Sequence, residues 1–244
     1  DATLFGTLSA FYFYAYTPMQ LFVGIIVDRF ATRKILMIAI LACTLGSFMM
    51  ASTHNYTIAA MGRSLQGFGS AFAFVGGLKL VAMWLPTSRF AFYSSFVNML
   101  GFLGACLGTI SISVLVQKLG WHNTIRDLSI LGVILALCFW LASRAKNPQE
   151  AKVNMKAHSF KDSWDQFRKI VSVPRIWLAG FYSGLMFLPT TVFAALWGVP
   201  YLEELHHYSG TMSATATSMI FLGWAIGSVI IGDRHCNRSD NQPF

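Results

Sequence analysis

Between Phe90 and Val116 the chain places no charged residue. A helix rises 1.5 Å per residue, so a stretch of this length crosses the hydrocarbon core of a bilayer, which is about 30 Å thick. The pattern recurs along the chain. Thr3–Val27, Ile35–Ala51, Ile176–Leu202 and Tyr208–Gly232 are also free of charge. Leu128–Ser143 is shorter, and reaches spanning length with Trp121–Asp127 at the interface. Tyr56–Met83 holds only Arg63 and Lys79. Seven spans are therefore predicted. All must be helices, because lipid offers no hydrogen-bond partners to an open sheet edge. The expected fold class is an all-α polytopic membrane protein with seven transmembrane helices.

Composition excludes the main alternatives. Charged residues make up 11% of the 244 positions and hydrophobic ones 55%, with mean hydropathy +0.55. A soluble domain carries roughly 25% charged residues. Cys43, Cys106, Cys138 and Cys236 lie far apart, with no metal-ligand spacing, so neither a zinc site nor a disulfide framework is expected. No cofactor is called for. The absence of H-E-x-x-H and G-x-S-x-G argues against a membrane hydrolase, and the chain is expected not to be an enzyme. A retinal-type receptor would need a Lys in its last span, and Tyr208–Gly232 has none.

The net charge of +8 could suggest nucleic acid, but the positions of the cations give another meaning. Fourteen Lys and Arg residues fall in the loops on one side of the spans and in the tail, against Lys118 and Arg126 on the other. By the positive-inside rule the rich side is cytoplasmic. This places residue 1 outside and residue 244 inside, in a multi-pass protein of a cell membrane, with a bacterial inner membrane expected. No signal peptide precedes the first span, so an upstream helix is expected.

The segment 145–175 is the one long polar stretch. In it Phe160, Trp164, Phe167 and Val171 share a helical face, and Ser159 with Asp162 fits a capping box. It reads as an amphipathic helix lying on the inner membrane face. The chain then divides into 1–144, five helices of a first bundle whose first helix is missing; 145–175, a cytoplasmic linker; and 176–244, two helices of an incomplete second bundle.

Two charges stand out. An Arg at the centre of a membrane helix costs about 2.5–3.5 kcal/mol on the insertion scale. Arg63 shares a helical face with Gln66 and is followed by Gly67 and Gly69, as suits a wet cavity and close helix approach. Lys79 lies about a turn from the inner end and is expected to snorkel. Asp28 ends an inward-running helix, where the dipole disfavours an acid. Arg29, Arg33 and Lys34 are its expected counter-charges.

The stretch Gly24-x-x-x-Asp28-Arg29, with Arg33-Lys34 closing the turn, resembles the signature between the second and third helices of the major facilitator superfamily. Ala31 replaces the usual turn glycine. Arg63-x-x-Gln66-Gly67 resembles the same family's fourth-helix motif, in the right order and one helix on. Gly101, Gly104 and Gly108 resemble its glycine-rich fifth helix, without the Gly-Pro pair of the proton-coupled drug antiporters. The resemblance implies helices two to eight of twelve in a two-bundle transporter that moves a small solute by alternating access. A small organic anion or metabolite is the expected substrate, with proton coupling, symport and antiport left open. Gly24, Asp28, Arg29, Arg33 and Lys34 would form the cytoplasmic gating motif. Arg63, Gln66, Tyr16, Asn98, Tyr182 and Trp197 would be candidates for substrate or proton coupling. The implied partners are the solute, the bilayer and, in coupled members, protons. The alternatives are a fragment that does not transport alone and a seven-helix receptor-like protein; the 244 residues by themselves are expected not to transport.

Overall fold

The computed structural model describes residues 2–86, 89–143 and 160–239. Among these residues every element is helical: α1 (Ala2–Arg29), α2 (Thr32–Ala51), α3 (Tyr56–Trp84), α4 (Phe90–Leu119), α5 (Trp121–Ala142), α6 (Phe160–Val171), α7 (Pro174–Pro189), a π-helical segment (Thr190–Trp197), α8 (Gly198–His206) and α9 (Gly210–Ser239). Seven helical stretches are long and apolar enough to cross a membrane: α1 to α5, the α7–α8 run and the Gly210–Gly232 part of α9. They coincide with the seven predicted spans, and the all-α class holds.

Their surfaces explain why the solvent must be lipid. Leu178 is 72% exposed and Ile231 70%. Burying such side chains against hydrocarbon removes a cost of about 25 cal/mol per Å² of apolar area left in water.

The described helices form two compact units. The first is built from α1, α2, α3 and α5. Its core gathers Val23, Val27, Ile35, Ala39, Ala71 and Phe72. Small residues let the helices approach. A Cβ on Gly46 would sit 2.5 Å from the Gly62 carbonyl oxygen, and one on Gly67 would collide with the backbone of Tyr12. Without a hydrophobic drive between helices in lipid, such close contact is what holds them together.

The second unit contains α4 and the helices from α6 onward. Cys106, Ala194 and Phe221 form its core. Ser228 Oγ lies within 3.4 Å of the Ser95 carbonyl oxygen, and Phe102 stacks on Trp224 with centroids 5.7 Å apart. The sequence fold of this unit is not uniform. Pro189 cannot donate to the i−4 carbonyl and crowds it, and the turn widens into π-helix immediately after it. The Thr191 hydroxyl turns back to the Phe187 carbonyl at 3.3 Å, and Trp224 Nε1 donates to Thr190 Oγ1 at 2.7 Å.

α6 begins at Phe160, where the amphipathic pattern places it; its expected cap, Ser159, lies outside the described residues. The helix α9 continues through residues expected to form a polar tail after Gly232 and ends at Ser239.

Candidate functional site

Two polar clusters lie within the first unit. One is at the α1–α2 turn. Here α1 ends at Arg29 and α2 begins at Thr32. Ala31 sits between them at φ −56°, ψ 110°, an extended conformation open to any residue. The replacement of the turn glycine therefore carries no backbone strain, contrary to what losing a positive-φ residue would suggest.

Asp28 has a different partner from those expected. Lys79, from α3, donates to Asp28 Oδ1 at 2.9 Å, and its Nζ also donates to the Val27 carbonyl. The Lys79 side chain is 16% exposed, so it is tucked against α1 and does not snorkel. It supplies positive charge and a donor at the C-terminal end of α1, where carbonyls lack helical partners and the dipole is negative.

Arg33 reaches the other way. Its Nη1 donates to the Ser143 carbonyl at the end of α5, and its guanidinium lies 5.3 Å from the centroid of Trp84 at the end of α3. A planar cation on an aromatic face is attracted by the ring quadrupole. Lys34 lies in the first turn of α2, its amide on the Ala31 carbonyl at 2.9 Å. A Cβ on Gly24 would meet no atom within 4 Å, so that glycine leaves an open surface on α1.

The second cluster is centred on Arg63, about 10 Å along α3 from its first residue. Arg63 Nη1 donates to Gln66 Oε1 at 3.4 Å, Gln66 Nε2 to Ser47 Oγ at 2.8 Å, and Ser47 Oγ to the Cys43 carbonyl at 3.0 Å. The bonds run in one direction, and such chains polarise one another. One turn further along α3, Ser70 Oγ shares a hydroxyl–hydroxyl bond of 2.7 Å with Tyr12, which stacks on Tyr16 with centroids 5.7 Å apart. Cys43, Ser47 and Ser70 line a cavity of about 460 Å³ between α2, α3 and α5. Among the described residues Arg63 Nε is buried without a hydrogen-bond partner. The spans around it carry no acid at that depth; the nearest in sequence, Asp28, is taken by Lys79.

The structure thus joins Arg63 to Gln66 and brings Tyr16 to the same cluster through Tyr12. Tyr12, Ser47, Ser70 and Cys43 escape the motif, although Tyr12 and Ser70 fall one turn from Tyr16 and Gln66. Asn98 belongs to the second unit, in a groove of about 600 Å³ shared with Ser95, Trp224 and Ser228. Trp197 closes the π-helical segment and is 42% exposed, while Tyr182 is 66% exposed; neither takes part in a described polar cluster. Among the described residues no group of three or more His, Cys, Asp and Glu is placed to hold a metal.

Seven apolar spans with polar clusters inside them define a multi-pass helical membrane protein. The family model of the Major Facilitator Superfamily matches residues 1–240, and the chain belongs to that family of transporters. It is similar to the uncharacterized transporter YybO of Bacillus subtilis (strain 168), with 26% identity over 57% of this chain and 32% of the relative. It is 28% identical to the probable galactarate/D-glucarate transporter GudP of the same organism, over 63% of this chain and 35% of GudP. Against the probable L-galactonate transporter of Escherichia coli (strain K12) identity is 23%, over 95% of this chain and 53% of that protein. The chain spans a third to about half the length of these curated relatives. No solved structure gives a significant match. The family and its transporter relatives point away from an enzyme.

Proposed function

We propose that the chain is part of a secondary active transporter that moves a small organic anion by alternating access. The observation that carries this reading is Arg63. It is a cation held inside a helical unit with a buried unpartnered N–H, a neutral Gln66 beside it, and no carboxylate in its own spans to neutralise it. A guanidinium so placed offers a planar fork to a carboxylate. The solutes named for GudP and for the L-galactonate transporter are sugar acids, anionic at neutral pH, and hydroxyl-rich surroundings such as Tyr12, Ser47 and Ser70 suit such a solute. A bound carboxylate would be a second partner for Arg63 beside Gln66, and a proton carried with it would offset its charge.

In this reading the α1–α2 turn, with Gly24, Asp28, Arg29, Arg33 and Lys34, is the cytoplasmic gate, and residue 1 faces outside. Along the sequence the bundles divide as 1–144 and 176–244 around the linker 145–175. Tyr16 on α1 and Asn98 on α4 are further cavity residues, and Tyr182 and Trp197 are the candidates for substrate contact from the second bundle.

Uptake of radiolabelled galactarate and galactonate by cells expressing the protein from its own gene tests the proposal. Uptake above vector control that Arg63→Ala reduces at least tenfold, with unchanged amounts in the membrane, is the expected result. Equal uptake by the variant returns Arg63 to a packing role.

A further inference from the structure

At the end of the first unit opposite the Asp28 turn, two imidazoles from separate segments meet. His54 lies in the α2–α3 connection and His122 is the second residue of α5, and their ring centroids are 4.6 Å apart at an interplanar angle of 48°. Both residues are exposed. Neither takes part in the Arg63 cluster or the gating turn.

The backbone under each ring is fixed. Asn55 Oδ1 accepts from the Thr57 amide at 2.9 Å, and the Asn55 amide donates to Thr53 Oγ1 at 3.0 Å, so the turn carrying His54 is tied on both sides. His122 follows Gly120, whose φ is +78° and whose carbonyl accepts from both the Thr124 amide and the Thr124 hydroxyl. Thr124 is fully buried. Further along, Gly132 of α5 lies against the Thr44 side chain of α2, which sets the distance between the two helices. The rings are therefore brought together by the fold.

Imidazole nitrogens bind zinc at 2.0–2.1 Å, and copper and nickel favour the same ligand. Two imidazoles sharing one ion in this way place their centroids about 4.5–5.3 Å apart, for angles at the ion between about 90° and 110°. The observed separation of 4.6 Å falls inside that window. We infer that His54 and His122 form a two-histidine site for a borderline divalent cation of the zinc–copper–nickel class, with water completing its coordination. An ion held there staples the α2–α3 turn to the start of α5. The inference is independent of what the protein transports.

The test uses the full 244-residue chain in lipid nanodiscs. The sequence has six histidines; changing His158, His206, His207 and His235 to Ala leaves only this pair. Titrated with Cu²⁺, this background is expected to bind one ion per chain with the pulsed-EPR modulation of two imidazole nitrogens, displaceable by Zn²⁺. Adding His54→Ala or His122→Ala should remove the two-imidazole signature and weaken binding at least tenfold. Both side chains lie on the surface, so the variants should elute as the parent does. A background chain with no imidazole modulation, or a signature that survives either substitution, overturns the site.

Discussion

Lys79 Nζ lies 2.9 Å from Asp28 Oδ1 and also bonds the Val27 carbonyl, so α3 closes the end of α1. The two residues are 51 positions apart. Asp28 is 76% exposed, and solvent screening keeps the ion pair itself modest, within the 0.2–1 kcal/mol typical of exposed pairs. The bond to the carbonyl adds a helix-capping contribution that does not depend on the Asp28 charge. Lys79→Met should therefore destabilise the first unit more than Asp28→Asn does. A double-mutant cycle on thermal unfolding in detergent should give a coupling of about 0.5 kcal/mol. A coupling of zero would mean that the ion pair contributes nothing, and a larger loss from Asp28→Asn would mean that the carbonyl bond is the lesser of the two contacts.

Arg33 fastens the same turn to two further helix ends, through the Ser143 carbonyl and the Trp84 ring. Lysine retains the charge but lacks the planar fork that permits both contacts at once. Arg33→Lys is expected to loosen the last turn of α5 by about 0.5–1 kcal/mol, the range of an exposed cation–π contact. Hydrogen exchange at the Ser143 amide, which bonds the Phe139 carbonyl at 2.9 Å, should speed up by about two- to fivefold. Protection equal to the parent's would show that the ring contact is incidental.

How much of this could be read beforehand follows from what each feature depends on. The seven spans depend only on hydrocarbon thickness and composition, and both are legible in one sequence. Arg63 and Gln66 stand one helical turn apart, so their meeting is local. Lys79 was not legible: a cation one turn from a span end has the same sequence signature whether it reaches headgroups or another helix. The Arg33 partner, 110 positions away, is a product of tertiary packing alone. The family resemblance puts Asn98 beside Arg63 among the cavity candidates, while the structure describes it in the second unit, where it lines a groove with Trp224. The π-helical segment depends on Pro189 together with a tryptophan from α9, and only the proline could be seen.

The glycines make the same point in a form that can be measured. The stripe Gly101, Gly104 and Gly108 looks like a packing face, yet a Cβ at any of the three meets no atom within 4 Å. Gly46 draws no attention in the sequence, yet its Cβ would press on the Gly62 carbonyl. Alanine gains about 0.8–1.0 kcal/mol over glycine in a helix, whereas overpacking a tight contact costs about 1–3 kcal/mol. The two substitutions should act in opposite directions: Gly101→Ala raises the unfolding midpoint in detergent and Gly46→Ala lowers it. A stabilising Gly46→Ala would show that α2 and α3 can separate slightly without loss.

Gln66 ties the Arg63 cluster together, because its carbonyl accepts from Arg63 while its amide donates to Ser47. Leucine at this position keeps most of the volume and removes both functions. The Arg63 Nη1 then joins Nε as an unpartnered donor, and a buried donor left unsatisfied costs about 1–3 kcal/mol, more when charged. Gln66→Leu should therefore destabilise the chain while increasing the demand of Arg63 for an anion. Gln66→Glu has the opposite chemistry: a carboxylate 3.4 Å away in place of the amide oxygen neutralises Arg63 internally and competes with any bound carboxylate. Measured by equilibrium dialysis with labelled galactarate on the protein in nanodiscs, Gln66→Glu should weaken binding at least tenfold while the fold stays intact by circular dichroism. Undiminished binding in Gln66→Glu would place the solute's carboxylate elsewhere than on Arg63.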